Sequence, residues 1–172
     1  MSDWRIERLS RSHDRSAFSC GKQSLDEFIR RFVNQYEKRN LGRTFVAVRQ
    51  DETRIGGYYT LASSSVSFEH LPEESARKLP KHPVPVVLIA RLAVDTSVQG
   101  QKLGEKLLID ALSRCLDLAE QLGVHAVEVD AIDYQARSFY LKYGFVSLTD
   151  DPRHLFLPVA TIRDALGGSR LQ

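Results

Sequence analysis

Leu92-Ala93-Val94-Asp95-Thr96-Ser97-Val98-Gln99-Gly100-Gln101-Lys102-Leu103-Gly104 is the stretch on which the fold turns. It closes the longest apolar run of the chain, Val84 to Val94, broken only by Pro85 and Arg91. Near-continuous apolarity suits a central strand covered on both faces. Asp95 to Gly100 reads as a turn. Beyond it Leu103, Leu107, Leu108, Ala111, Leu112, Cys115, Ala119 and Leu122 recur at helical spacing, and Gly123 closes the helix. A strand that turns directly into a long helix presents free backbone N–H groups and the positive end of a helix dipole, which together make an anion site. Gly100 lets the chain turn sharply, and Gly104 lets a diphosphate approach the first helical turn. The same arrangement also serves as a plain tight connection. The turn lacks the Gly-Lys-Ser/Thr ending of a P-loop and the G-x-G-x-x-G of a dinucleotide fold.

Downstream, Ala126 to Val129 reads as a strand, so the centre of the chain is a βαβ unit, a connection that is nearly always right-handed and parallel. Asp133 can N-cap a helix with Ala136, Phe139, Tyr140 and Tyr143 on its inner face, stopped by Gly144. Phe145 to Leu148 and Leu155 to Leu157 are short strands, and Ile162 to Leu166 forms a last turn of helix. Upstream, Trp4 to Leu9 alternates apolar and charged residues as a half-buried strand does. Ser24 and Glu27 form a capping box before a helix whose apolar stripe is Leu25, Phe28, Ile29, Phe32, Val33 and Tyr36. Arg30, Arg31, Lys38 and Arg39 occupy its other face. Thr44 to Val48 and Ile55 to Leu61 make an antiparallel hairpin, and a Pro-rich excursion with a short helix near 73–78 comes next. The expected architecture is α+β (mixed α/β): a mixed sheet of six to seven strands around the central βαβ unit, in a single domain over residues 1–172.

Composition excludes several classes. The 172 residues are 42% hydrophobic and 27% charged, ordinary for a globular chain that needs neither disulfides nor metal to fold. Cys20 and Cys115 lack metal-ligand spacing and read as packed hydrophobes, and His82, His125 and His154 are scattered, so no metal is expected. Neither a membrane span nor a signal-peptide core is present, which makes the cytoplasm the expected compartment. The net charge of +2 is too small to mark a nucleic-acid binder. Its distribution is uneven, however. Residues 1–43 hold 10 Lys/Arg against 6 Asp/Glu, and the remainder holds 14 against 16.

Gln99-x-x-Lys102-x-Gly104, placed between that strand and that helix, resembles the acetyl-CoA motif Q/R-x-x-G-x-G/A of the GNAT N-acetyltransferases. Ala136-x-x-Phe139-Tyr140-x-x-x-Gly144-Phe145 resembles the second signature of that family. The element order is similar over nearly the whole length. One departure stands out: Lys102 occupies the place of the usual first glycine, which matters if that position needs a positive φ. A narrower resemblance, to the TacT-like toxin acetyltransferases of type II toxin–antitoxin systems, rests on four stretches. They are Phe18-x-Cys20-Gly21-x-x-x-Leu25-Asp26-x-Phe28-Ile29, Gly57-Tyr58-Tyr59-Thr60-Leu61, Val84 to Asp95, and Leu155-Phe156-Leu157-Pro158.

The resemblance implies acetyl-CoA as co-substrate and a primary amine as acceptor. For the narrower group it implies the α-amino group of aminoacyl-tRNA, a block of translation, and a ribbon-helix-helix antitoxin as partner. It places cofactor contacts on Leu92, Ala93, Val94, Gln99, Gly100, Gln101, Lys102, Leu103, Gly104, Asp133, Ala136 and Phe139, and the proton donor to the leaving thiolate on Tyr140. Arg30, Arg31 and Arg91 are the expected contacts to a phosphate-bearing acceptor, although solvated faces explain such residues equally well. Glu128 is a possible base through water or simply a solvent-facing strand residue. A homodimer is expected from the habit of the fold. Two alternatives stay open: a general acetyltransferase for a small amine or a protein N-terminus, and a non-catalytic acetyl-CoA-binding co-repressor.

Overall fold

The computed structural model describes residues 3–170 along the backbone and side chains to residue 166. The order is β1 (Trp4–Arg8), α1 (Gln23–Glu27), a π-helical turn (Phe28–Phe32), α2 (Val33–Lys38), β2 (Arg43–Arg49), β3 (Ile55–Val66), α3 (Glu73–Ala76), β4 (Val84–Val94), α4 (Leu103–Ala119), β5 (Ala126–Asp130), α5 (Tyr134–Lys142), β6 (Val146–Ser147), β7 (His154–Pro158) and α6 (Val159–Arg170). The seven strands make one mixed sheet in the order β1-β2-β3-β4-β5-β7-β6, the expected fold class with the larger strand number. The chain divides into two compact units, residues up to 62 with 90–111, and residues 63–89 with 112 onward.

In the first unit β1, β2 and β3 are an antiparallel meander, from Trp4↔Arg49 to Arg8↔Phe45 and from Arg43↔Leu61 to Ala47↔Gly57. Two adjacent glycines make its packing possible. A Cβ on Gly56 would lie 2.4 Å from the Trp4 ring, and one on Gly57 would lie 2.8 Å from Leu107 and 2.9 Å from the Ala93 carbonyl. The pair therefore seats the tryptophan with one residue and the start of α4 with the next. The core gathers Phe18, Phe28, Ile29, Val33, Val46, Val48, Ile55 and Tyr58.

The expected single helix over residues 24–41 is interrupted. A π turn takes up one extra residue, so the apolar stripe slips. Phe28, Ile29 and Val33 stay buried, while Phe32, expected in the stripe, is 42% exposed. The Ile29 carbonyl is satisfied from outside the helix by Arg15, whose Nη1 donates over 2.8 Å. The capping box is absent as well. Lys22 is the N-cap and its side chain does not cap the helix, and the buried Asp26 carboxylate instead accepts from the Cys20 N–H at 2.7 Å.

In the second unit β4 runs parallel to β5 from Val86↔Ala126 to Ile89↔Val129, and β7 runs antiparallel to β5 and β6. Val66, Leu71, Val84, Val86, Ala126, Leu148 and Phe156 form its core. Asp133 caps α5 as expected, accepting from the Ala136 N–H at 2.8 Å, and Gly144 ends it at φ +96°. Leu122 does not join the α4 stripe. The helix stops at Ala119 and leaves Leu122 64% exposed.

Candidate functional site

The ladder with β5 ends at Ile89, five residues before β4 ends at Val94. Asp95 secures the chain just past that end. Its N–H donates to the Gly56 carbonyl at 2.8 Å. Its carboxylate, on a residue only 3% exposed, accepts from the Ser19 N–H at 2.9 Å and from the N–H and hydroxyl of Ser97 at 3.0 and 2.5 Å. Burial pushes its pKa up, but the bonds from Ser97 and Ser19 and the Arg54 guanidinium outweigh that and hold it below the usual carboxylate value. Asp95 therefore stays ionised and clamps the Phe18–Gly21 loop to the end of β4.

Side chains in the turn point back into the fold. Gln99 donates its amide N–H to the carbonyls of Val94, at 3.0 Å, and Cys20, at 3.2 Å. The Gln101 carbonyl oxygen accepts from Arg49 at 3.2 Å. What remains to face an anion is backbone and the exposed Lys102 side chain. Gly100 stands at φ +84°, and Lys102 stands at φ +65°. A left-handed lysine costs about 1–2 kcal/mol against a relaxed conformation, so the position usually held by glycine does require a positive φ. The strain buys the turn that delivers a 17-residue helix end-on. Lys106 N–H is bonded to the Lys102 carbonyl at 3.2 Å. The earlier helical N–H groups, of Leu103, Gly104 and Glu105, have no acceptor within the helix. Leu103 is buried and seats α4, while Gly104 is half-buried and Lys102 exposed.

Arg91 is half-buried. Its guanidinium lies 3.7 Å from the Phe28 ring centroid and 5.2 Å from that of Tyr36. Among the described residues no carboxylate pairs with it. Stacking of this kind is worth up to about 2 kcal/mol when desolvated and leaves the N–H fork free for an anion. Arg30 and Arg31 are exposed on the π turn, and Arg30 Nε donates to the Asp26 carbonyl at 3.3 Å.

The remaining expected residues lie in the second unit. Tyr140 is 7% exposed, with edge-on ring contacts to Phe139 and Phe145. Burial raises its pKa, so the phenol is fully protonated at neutral pH, the state a proton donor requires. Phe139 also packs edge-on against Tyr143, and Asp133 and Ala136 hold each other as cap and capped N–H. Glu128 is not solvent-facing. It is 6% exposed, its Oε2 is hydrogen-bonded to His154 Nε2, and its buried Oε1 has no hydrogen-bond partner among the described residues. The other ring nitrogen of His154 reaches Asp150 at 2.9 Å. Sequence reasoning scattered these histidines. Pairing of β5 with β7, which sets Asp130 opposite His154, is what brings His154 to Glu128.

Burial pushes the Cys20 thiol up to about 11 and the Cys115 thiol up to about 12, so both are packed groups and not nucleophiles. Among the described residues no group of three or more His, Cys, Asp or Glu could hold a metal, and no helix is long and apolar enough to cross a membrane.

The first unit thus carries a strand that outruns its neighbour, a positive-φ turn and an end-on helix, and the second carries a buried, protonated tyrosine on the helix that Asp133 caps. The acetyltransferase (GNAT) domain family matches residues 17–154. The chain belongs to this family. It is 39% identical to a tRNA-acetylating toxin of Mycobacterium tuberculosis over 93% of this chain and 95% of that protein. It is 35% identical to a probable toxin TacT of Sinorhizobium fredii over 90% of each. Among solved structures, AtaT complexed with acetyl-methionyl-tRNAfMet superimposes with a TM-score of 0.89 at 29% identity, covering 95% of this chain and 99% of that one. A tyrosine-to-phenylalanine mutant of KacT gives 0.91 at 30% identity, with the same coverage.

Proposed function

We propose that this GNAT protein is a cytoplasmic toxin that acetylates the α-amino group of aminoacyl-tRNA with acetyl-CoA and so stops translation. The observation that carries the reading is the likeness, over nearly the whole of both chains, to a tRNA-acetylating toxin and to AtaT complexed with acetyl-methionyl-tRNAfMet. AtaTR bound with acetyl-CoA matches at a TM-score of 0.84 and 30% identity, which supports the co-substrate.

Acetyl-CoA supplies an activated acetyl thioester, and the chain does the rest. The N–H groups of Leu103 and Gly104, with the Lys102 ammonium nearby, fit its diphosphate. The N–H groups of Leu92 to Val94, beyond the β4–β5 ladder, donate to the acetyl carbonyl and the pantetheine amides. Gln99, Gly100 and Gln101 shape the turn, and Asp133, Ala136 and Phe139 position Tyr140. Tyr140 gives its proton to the sulfur as the C–S bond breaks and the new C–N bond forms. The attacking amine loses a proton to solvent. An α-amino group titrates near about 7.7–8.0 against about 10.4 for lysine, so it needs little help at neutral pH. Arg91, with Arg30 and Arg31, takes phosphates of the acceptor.

The chain works as one domain in a homodimer and is restrained by a ribbon-helix-helix antitoxin. Support for the antitoxin comes from AtaT bound to the C-terminus of AtaR and from the KacTA–DNA complex. Adding the protein and acetyl-CoA to a reconstituted translation mixture tests the function. Synthesis stops with the wild type and continues with Tyr140→Phe. Undiminished synthesis with an active, acetyl-CoA-hydrolysing or amine-acetylating wild type overturns the toxin reading.

A further inference from the structure

A cavity of about 430 Å³ opens on the first unit between the end of β1 and α2. Its wall carries four cations, Arg8, Arg11, Lys38 and Arg43, against a single carboxylate, Glu37. Glu37 is committed. It accepts from Arg8 Nη2 at 3.1 Å, from Arg43 Nη1 at 3.5 Å and from the Thr44 N–H at 3.1 Å. Arg11 and Lys38 are exposed and form no ion pair among the described residues. Three positive charges are thus left unbalanced around one small space. They cost repulsion in the free protein and favour an anion with several acceptor oxygens.

The lining selects the kind of anion. Beside the charged groups it offers Ser10, Asn34 and only one apolar side chain, Leu9, so it lacks the apolar anchor on which protein partners depend. Guanidinium forks match phosphate oxygens in pairs. Helix α2 links this cavity to Arg91. Tyr36 lies against Arg91, while Asn34 and Lys38 of the same six-residue helix line the cavity.

We propose that this cavity is a phosphate-binding site that docks the backbone of the tRNA away from its reacting 3′ end, adding affinity and no chemistry. The proposal rests on the aminoacyl-tRNA reading and extends it to a second contact. The test compares wild type with Arg11→Gln/Lys38→Gln, two exposed positions that leave the Glu37 pairs intact. An exposed pair elsewhere, Arg77→Gln/Lys78→Gln, serves as control. Binding of deacylated tRNA is followed against salt, and acetylation is followed with charged tRNA and with an aminoacylated 3′ trinucleotide too short to reach the cavity. The expected result is a KM for charged tRNA raised about tenfold and a salt slope lowered by about two. The loss falls on KM and spares kcat, acetylation of the trinucleotide is unaffected, and the control pair moves neither KM nor slope. An unchanged KM and slope, an equal loss on the trinucleotide, or an equal effect of the control pair each overturns the proposal. A wild type that acetylates no charged tRNA at all sinks the functional reading instead, and is seen before any variant is made.

Discussion

Glu128 and His154 meet across the β5–β7 ladder, the carboxylate Oε2 against the imidazole Nε2, with Asp150 on the far ring nitrogen 2.9 Å away. Burial lowers the pKa of this histidine, but the hydrogen bonds it donates to Glu128 and Asp150, with Asp130 nearby, outweigh it and raise the pKa above the ordinary 6.5. Glu128, Asp150, Asp130 and, through Asp150, His70 are the titratable groups around it. A raised folded-state pKa means that the imidazolium contributes its full stabilisation below about pH 6.5. That contribution is lost as pH rises through the higher folded value. Denaturant unfolding from pH 6 to 9 should therefore show falling stability in the wild type and a flatter profile in His154→Gln. A wild-type profile that rises across this window contradicts the assignment.

Lys102 gives the second prediction. Lys102→Gly removes a left-handed side chain but adds unfolded-state freedom, two effects of about 1 kcal/mol and opposite sign. The net gain should be a few tenths of a kcal/mol by chemical denaturation. Affinity for acetyl-CoA should fall severalfold as the ammonium beside the diphosphate is lost. Lys102→Met separates the two, because it loses the charge and keeps the strain.

Tyr140→Phe keeps the aromatic packing with Phe139 and Phe145 and deletes only the hydroxyl. Turnover should drop by about 10²–10⁴, with acetyl-CoA binding and thermal stability little changed. A comparable loss of cofactor binding would make the residue a packing element.

Arg91→Lys preserves charge and abandons the planar stack on Phe28 and Tyr36. The change should cost about 1–2 kcal/mol, seen as a KM for the acceptor raised about tenfold with the KM for acetyl-CoA unchanged.

Much of this was legible in the chain. Val84–Val94 matched the expected strand to the residue, and Asp133 and Gly144 bounded α5 as expected, because strong periodicity and stop signals decide locally. The features that stayed hidden depend on tertiary partners. The Ser24 box was overruled by Asp26 reaching back to Cys20. Phe32 turned outward because a π turn, held by Arg15 from fourteen residues away, shifted the helical register. Glu128 and His154 are 26 residues apart and meet only through strand pairing. The polar cavity joins Arg8 to Lys38 across two elements that no local pattern connects.

Transfer of labelled acetyl from acetyl-CoA to total charged tRNA, deacylated tRNA and a panel of small amines and peptides tests the central claim most directly. Label that appears only with charged tRNA, and that leaves the tRNA on mild alkaline deacylation, is the expected result. Label on a small amine or a peptide, with charged tRNA untouched, would keep the acetyltransferase and contradict the toxin.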